Sequence, residues 1–128
     1  MSEKNFDAWN EYKKELDAHR RNLIFRPGEV WFCSIGENIG REQNGKNNLF
    51  ERPILIIKKF NREMFWGAPL TSKEHSGSWY YNFFYDGILE TVILVQLRLV
   101  DIGRLQRKLF RINVVHRLAI REKLKNLL

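Results

Sequence analysis

The sequence predicts a small, mainly β protein, a partly open barrel with one helical extension before it and one helix after it. Three observations lead there. Short β-prone runs separated by turn residues recur between Glu29 and Ile112. Apolar residues at helical spacing occur only at the two ends. The chain has 128 residues, which by the usual prior is one domain with a modest core.

At the N-terminus, Phe6, Trp9, Tyr12 and Leu16 recur as one face of an amphipathic helix over residues 6–20, with His19, Arg20 and Arg21 at its C-terminal, electronegative end. So short a helix is marginal alone, so its aromatic face must dock on something. Arg26-Pro27-Gly28 then breaks the chain, which divides it into residues 1–25, the helical extension, and residues 26–128, the main domain. The first strand follows, with Val30, Phe32 and Ile35 read as one half-buried face. A polar loop rich in Gly, Asn, Glu and Arg separates it from Ile54–Ile57, a continuous apolar run suited to burial on both faces. Pro53 has no ladder donor and so marks that strand's start.

Phe60 to Glu63 reads as a hairpin turn into Met64–Leu70, closed by Thr71-Ser72. After the loop from Lys73 to Ser78, Trp79–Tyr85 is an aromatic strand and Asp86-Gly87 a tight turn. Ile88–Val100 is the longest β-prone run; Ile102–Gln106 reads as a helical turn and Lys108–Ile112 as a last short strand. Asn113 caps a final helix with Val114, Leu118, Leu124 and Leu128 among its apolar positions.

The formal net charge of +7 favours an acidic partner, nucleic acid or an acidic polypeptide. A hydrophobic fraction of 44% excludes a mainly disordered chain. The one cysteine, Cys33, permits no intrachain disulfide and suits a reducing cytoplasm. The charged N-terminus lacks the apolar core of a secretion signal, and no apolar run is long enough to span a membrane. His19, His75 and His116 are far apart and lack ligand spacing, so neither metal nor other cofactor is expected.

Arg52 stands where loop becomes strand. Its planar, permanently charged fork of donors suits a phosphate, and an ion pair with Glu51 or Glu42 is the plainer reading of it. Read locally, Thr71 and Ser72 are a turn after a strand.

Five blocks taken together carry a resemblance. They are G-E-V-W at Gly28–Trp31, I-G-x-E-Q at Ile39–Gln43, R-P-I-L-I-I at Arg52–Ile57, P-L-T-S at Pro69–Ser72, and V-Q-L-R-L-V-D at Val95–Asp101. In this order they resemble the MazF/PemK (Kid) type of toxin, and the likeness runs from about Arg26 to the C-terminus. The resemblance implies an SH3-like barrel of the MazF/PemK/CcdB type, a homodimer, and a metal-independent, sequence-selective endoribonuclease acting on single-stranded RNA. It also implies a cognate antitoxin, for which an acidic, disordered segment laid over the basic groove is expected. The alternative is a non-catalytic barrel that binds RNA or a protein target such as a topoisomerase.

Carried over residue by residue, the resemblance makes Arg52 the group that stabilises the phosphate and Thr71 the hydroxyl that positions it. Glu42, Gln43, Ser72, Gln96 and Arg98 become substrate-binding or supporting residues. Lys46 and Lys73 are further candidate cations, and Trp66, Trp79 or Tyr81 candidate stacking platforms. The chain departs from the family where one branch has R-x-D-Q, which here reads Ile93, Leu94, Val95, Gln96, and where that branch has histidine before E-Q, which here is Arg41. That acid–base dyad is therefore missing, and His75 is a lesser candidate to replace it.

Overall fold

A computed structural model describes residues 23–35 and 51–128. The expected N-terminal helix, Arg41, Glu42, Gln43 and Lys46 lie outside the described residues.

Seven strands are present: β1 (Glu29–Ser34), β2 (Glu51–Lys59), β3 (Met64–Thr71), β4 (Tyr80–Tyr85), β5 (Ile88–Ile93), β6 (Arg98–Asp101) and β7 (Leu105–Arg111). One helix, α1 (Val114–Asn126), follows them. The strands form one antiparallel sheet in the order β4-β5-β3-β2-β1-β7, and β6 pairs with β3 beside β5. The sheet does not close into a barrel, because β4 and β7 share no ladder. It curls until Tyr85 of β4 stacks on Phe110 of β7, ring centroids 4.0 Å apart.

Residues directly opposite one another in an antiparallel pair share a face, and the two faces carry separate apolar clusters. The inner face holds Val30, Leu55, Ala68, Leu70, Phe83 and Val92, covered by Ile120, Leu124 and Leu127 of α1. The outer face holds Trp31, Cys33, Ile54, Ile56 and Phe65, covered by Phe25, Val100, Ile102 and Leu105.

Several expectations change accordingly. β1 is not half-buried: Val30 belongs to the inner cluster and Ile35 packs on the outer one, so the two are not on one face. As a central strand, β1 is covered on both sides. Ile54, Leu55 and Ile56 are buried as their unbroken apolar run predicts, but β2 begins at Glu51 rather than at Pro53. Pro53 sits opposite Phe32, one residue before the pairing of β2 with β3 begins at Ile54. A 310 turn at Leu94–Gln96 splits the long run after Ile88, and the second 310 turn, Ile102–Arg104, is shorter than expected.

The turns follow their residues. The Asn61 side chain accepts the N–H groups of Glu63 and Met64, at 2.7 and 2.9 Å, closing the hairpin between β2 and β3. Asp86 and Gly87 both have positive φ, the pair of left-handed residues that a two-residue hairpin needs. Asn113 caps α1, its Oδ1 accepting the N–H of His116 at 2.9 Å. Along α1 the buried stripe is Ile120, Leu124 and Leu127, whereas Val114, Leu118 and Leu128 are exposed. The helix meets the sheet through this stripe and, near its start, through His116, which packs on Tyr81 and Phe83.

Candidate functional site

Pairing across the outer face builds a transverse row. Cys33 lies opposite Arg52, Thr71 opposite Thr91, and Thr91 opposite Asn82. The pairing of β2 with β3 places Ile54 opposite Pro69, and continued two residues along each strand that register sets Arg52 opposite Thr71. The next row holds Trp31, Ile54 and Pro69, and then Ile93 and Tyr80. Beside this row the outer face is apolar at Trp31, Ile54, Pro69 and Ile93, and Arg52, Thr71, Thr91 and Asn82 stand where such residues end.

The Arg52 Nη2 donates to the Leu70 carbonyl at 2.9 Å, and its buried Nε has no partner among the described residues. Burial lowers the guanidinium's pKa from its ordinary value, because removal from water penalises the charged form. Arg52 is 2% exposed and Thr71 7%. Arg52 stands where loop becomes strand, but β2 is a central strand, so its side chains start beneath neighbouring ones. The two side chains do share one face.

The Thr71 Oγ1 accepts the N–H of Lys73 at 3.3 Å, which is the turn that its local sequence predicts. The hydroxyl proton can still be donated elsewhere. Ser72 and Lys73 follow, exposed. Arg98 lies opposite Gly67 on the same outer face, and its Nη2 reaches the Ile35 carbonyl at 3.4 Å, just beyond β1. Gln96 lies on the first 310 turn, whereas Arg98 begins β6.

Of the three aromatic candidates, two face away from the row. Trp66, 40% exposed, lies opposite Lys58 and Leu99 on the inner face, packed edge-on against Phe60. Tyr81 is also on the inner face, with its hydroxyl 2.7 Å from His116 Nδ1, and burial raises its pKa. Trp79, 57% exposed, stands at the end of the loop entering β4. Tyr80, not one of these candidates, lies on the outer face, with His75 stacked on it at 4.5 Å.

Thr91 and Asn82 were not among the residues singled out from the sequence. Thr91 is fully buried; its Oγ1 donates to Asn82 Oδ1 at 2.5 Å, and Asn82 Nδ2 donates to the His75 carbonyl at 2.6 Å. The one amide within an otherwise aromatic strand, Asn82, was the available signal. Nothing local connects either residue to Thr91 or to Thr71. Among the described residues, no group of three or more His, Cys, Asp or Glu is placed to hold a metal ion.

An open, curled antiparallel sheet with a C-terminal helix and a polar row at the end of its outer face defines a class of small β proteins. Residues 26–128 match the model of the PemK-like, MazF-like toxins of type II toxin–antitoxin systems, and the chain belongs to that family. Solved structures share the fold at low identity. MazF from Deinococcus radiodurans is 18% identical, with a TM-score of 0.65 over 83% of this chain and 97% of its own. The same organism's MazE–MazF structure gives 14%, 0.61, 83% and 96%. An endoribonuclease in complex with its cognate antitoxin, from a mycobacterial species, gives 14%, 0.63, 80% and 93%. No curated protein matches the sequence. No described helix is long and apolar enough to cross a membrane.

Proposed function

We propose that this toxin is a metal-independent endoribonuclease that cuts single-stranded RNA by turning the 2′-hydroxyl on the adjacent phosphate. The observation that carries the reading is the shared row of Arg52 and Thr71, with one guanidinium donor left unpaired in a buried site. A buried donor without an acceptor costs free energy, and a phosphoryl oxygen would remove that cost while taking up the cation's charge. Thr71 would donate its hydroxyl proton to the same phosphate. Ser72, Lys73 and Arg98 would hold the strand's backbone on either side, and Glu42 and Gln43 would contact Arg52 or a base.

The cognate antitoxin would present an acidic segment that folds over these cations; one structural relative is an endoribonuclease solved in complex with its cognate antitoxin. The toxin itself would act as a homodimer.

A second reading has an observation of its own. Because Arg52 and Thr71 are almost fully buried, a barrel of this fold that binds RNA or a protein without cutting is the competitor. Incubation of purified, antitoxin-free protein with a long single-stranded RNA in chelator separates the two. Discrete cuts leaving 2′,3′-cyclic or 3′-phosphate ends, lost in Arg52→Lys and Thr71→Val variants that remain folded, support the nuclease. Bound but intact RNA supports the binder.

A further inference from the structure

Cleavage of the proposed kind needs a group that removes the 2′-hydroxyl proton, and Arg52 and Thr71 cannot supply it. A guanidinium stays protonated near neutral pH, and a threonine hydroxyl is not a base. The structure removes most other described titratable groups near the row. Cys33 is buried within the outer cluster, and desolvation pushes its thiol far above the ordinary range. Glu90 lies opposite Phe83 on the inner face, and His116 is bonded to Tyr81 there. Glu51 lies opposite Ser34, one residue out of phase with Arg52.

Glu74 and His75 remain on the loop after Thr71, and His75 is the one whose carbonyl and ring the fold holds in place. The loop that carries it leaves β3 directly after Thr71 and returns at Tyr80. It is fastened at several points. Asn82, backed by Thr91, donates to the His75 carbonyl at 2.6 Å. Lys123 of α1 donates to the Gly77 carbonyl at 3.3 Å and to the Tyr80 carbonyl at 2.6 Å. The imidazole stacks on Tyr80 with an interplanar angle of 12°. Stacking uses the face of the ring and leaves its nitrogen edges free to meet a hydroxyl. Asn82 and Thr91 belong to the same transverse row as Thr71, and neighbouring strands are about 4.8 Å apart. The loop is therefore anchored about 10 Å, two strand spacings, from Thr71.

We infer that His75 is the general base of the reaction and that the Thr91–Asn82 pair is its positioning device. The inference rests on the nuclease reading above. Neutral His75 takes the 2′-hydroxyl proton as the 2′-oxygen bonds to phosphorus. The bond from phosphorus to the 5′-oxygen breaks, that oxygen takes a proton from water, and the imidazolium returns its proton to the hydroxide so formed. The products are a 2′,3′-cyclic phosphate and a free 5′-hydroxyl. The charged groups around the ring are Lys73 and Glu74 on its own loop and Lys123 on α1; Tyr80 and Asn82 of β4 present neutral groups.

The experiment is a pH–rate profile on a defined single-stranded RNA in chelator, for the full chain and for His75→Ala, His75→Gln, Asn82→Ala and Glu42→Gln. Thermal melting confirms that each variant is folded. A base must be unprotonated to act, so kcat of the unaltered protein should rise with pH and then level. His75→Ala and His75→Gln should lower kcat by about 10²- to 10⁴-fold, leave KM nearly unchanged and abolish the rise. Added imidazole should restore part of the activity of His75→Ala. Asn82→Ala should lower kcat while keeping the rise, which a merely structural change would not do selectively. If His75→Ala keeps both rate and profile, or if Glu42→Gln abolishes the rise, His75 is not the base, although the nuclease reading stands. If the unaltered protein cuts no RNA, both fall.

Discussion

Arg52→Met separates what Arg52 does for the fold from what it does for the reaction. Methionine retains most of the unbranched stem and removes the charge. Two effects oppose each other. The substitution deletes a hydrogen bond from a charged donor to the Leu70 carbonyl and leaves that carbonyl unpaired, a loss of about 1–3 kcal/mol. It also removes a buried cation whose Nε is unpaired, and the desolvation penalty of such a group is several kcal/mol even after relaxation. The lowered pKa agrees in sign with this desolvation penalty. A base whose pKa falls on folding is penalised for being charged, so its charge costs stability at every pH below that value. Relief of desolvation outweighs the lost hydrogen bond, and Arg52→Met should be neutral to about 3 kcal/mol more stable. That corresponds to a rise in melting temperature of up to roughly 10 °C for a domain of this size. Cleavage of single-stranded RNA should fall at least about 100-fold in the same variant. Urea unfolding at pH 7 followed by tryptophan fluorescence, beside an RNA cleavage assay, measures both. A loss of more than about 2 kcal/mol with an unchanged denaturant slope would refute the reasoning, because Arg52 would then be a structural post.

Other consequences follow from the same geometry. A methyl group at Gly67 would lie 2.5 Å from Ile54 Cγ2 and 3.0 Å from Phe65 Cε2, so Gly67→Ala should cost about 1–3 kcal/mol in urea unfolding. The buried Glu29 carboxylate accepts from Trp31 Nε1 at 3.0 Å and from the Arg26 N–H at 2.9 Å. Glu29→Ala orphans both donors and should cost about 2–5 kcal/mol, read by the same method. Burial raises the Glu90 pKa, so the folded state holds that proton more tightly than the unfolded one. The stability this confers is present below the unfolded pKa and lost as pH rises through the folded one. Glu90→Gln should therefore gain on the unaltered protein at pH 7 relative to pH 4, measured as the difference in urea midpoints. The Cys33 thiol should resist a disulfide reagent until the protein is unfolded, since it is fully buried and burial holds it protonated; reaction at the rate of a free thiol in native buffer would contradict this.

What the sequence determined by itself is what nearest neighbours in the chain determine. Asn61, Asp86-Gly87 and Asn113 specify two turns and a cap because each makes its stabilising bonds within three residues or adopts its own backbone conformation. The run Ile54–Ile57 announced a strand covered on both faces because its composition leaves no polar side. Family order singled out Arg52 and Thr71, and the alternation of β2 and β3 puts both on the outer face, just past the last paired residues, Ile54 and Pro69.

The tertiary structure decided the rest. That both faces of β1 are covered depends on what packs above and below the sheet, and the central position of β2 buries Arg52 although its sequence neighbours look like the edge of a loop. Thr91, Asn82 and His75 come together only through the pairing of β3 with β5 and β5 with β4, contacts between residues 7–20 positions apart. Residue spacing along the chain cannot encode such a row, because each member is fixed by the register of a different strand pair.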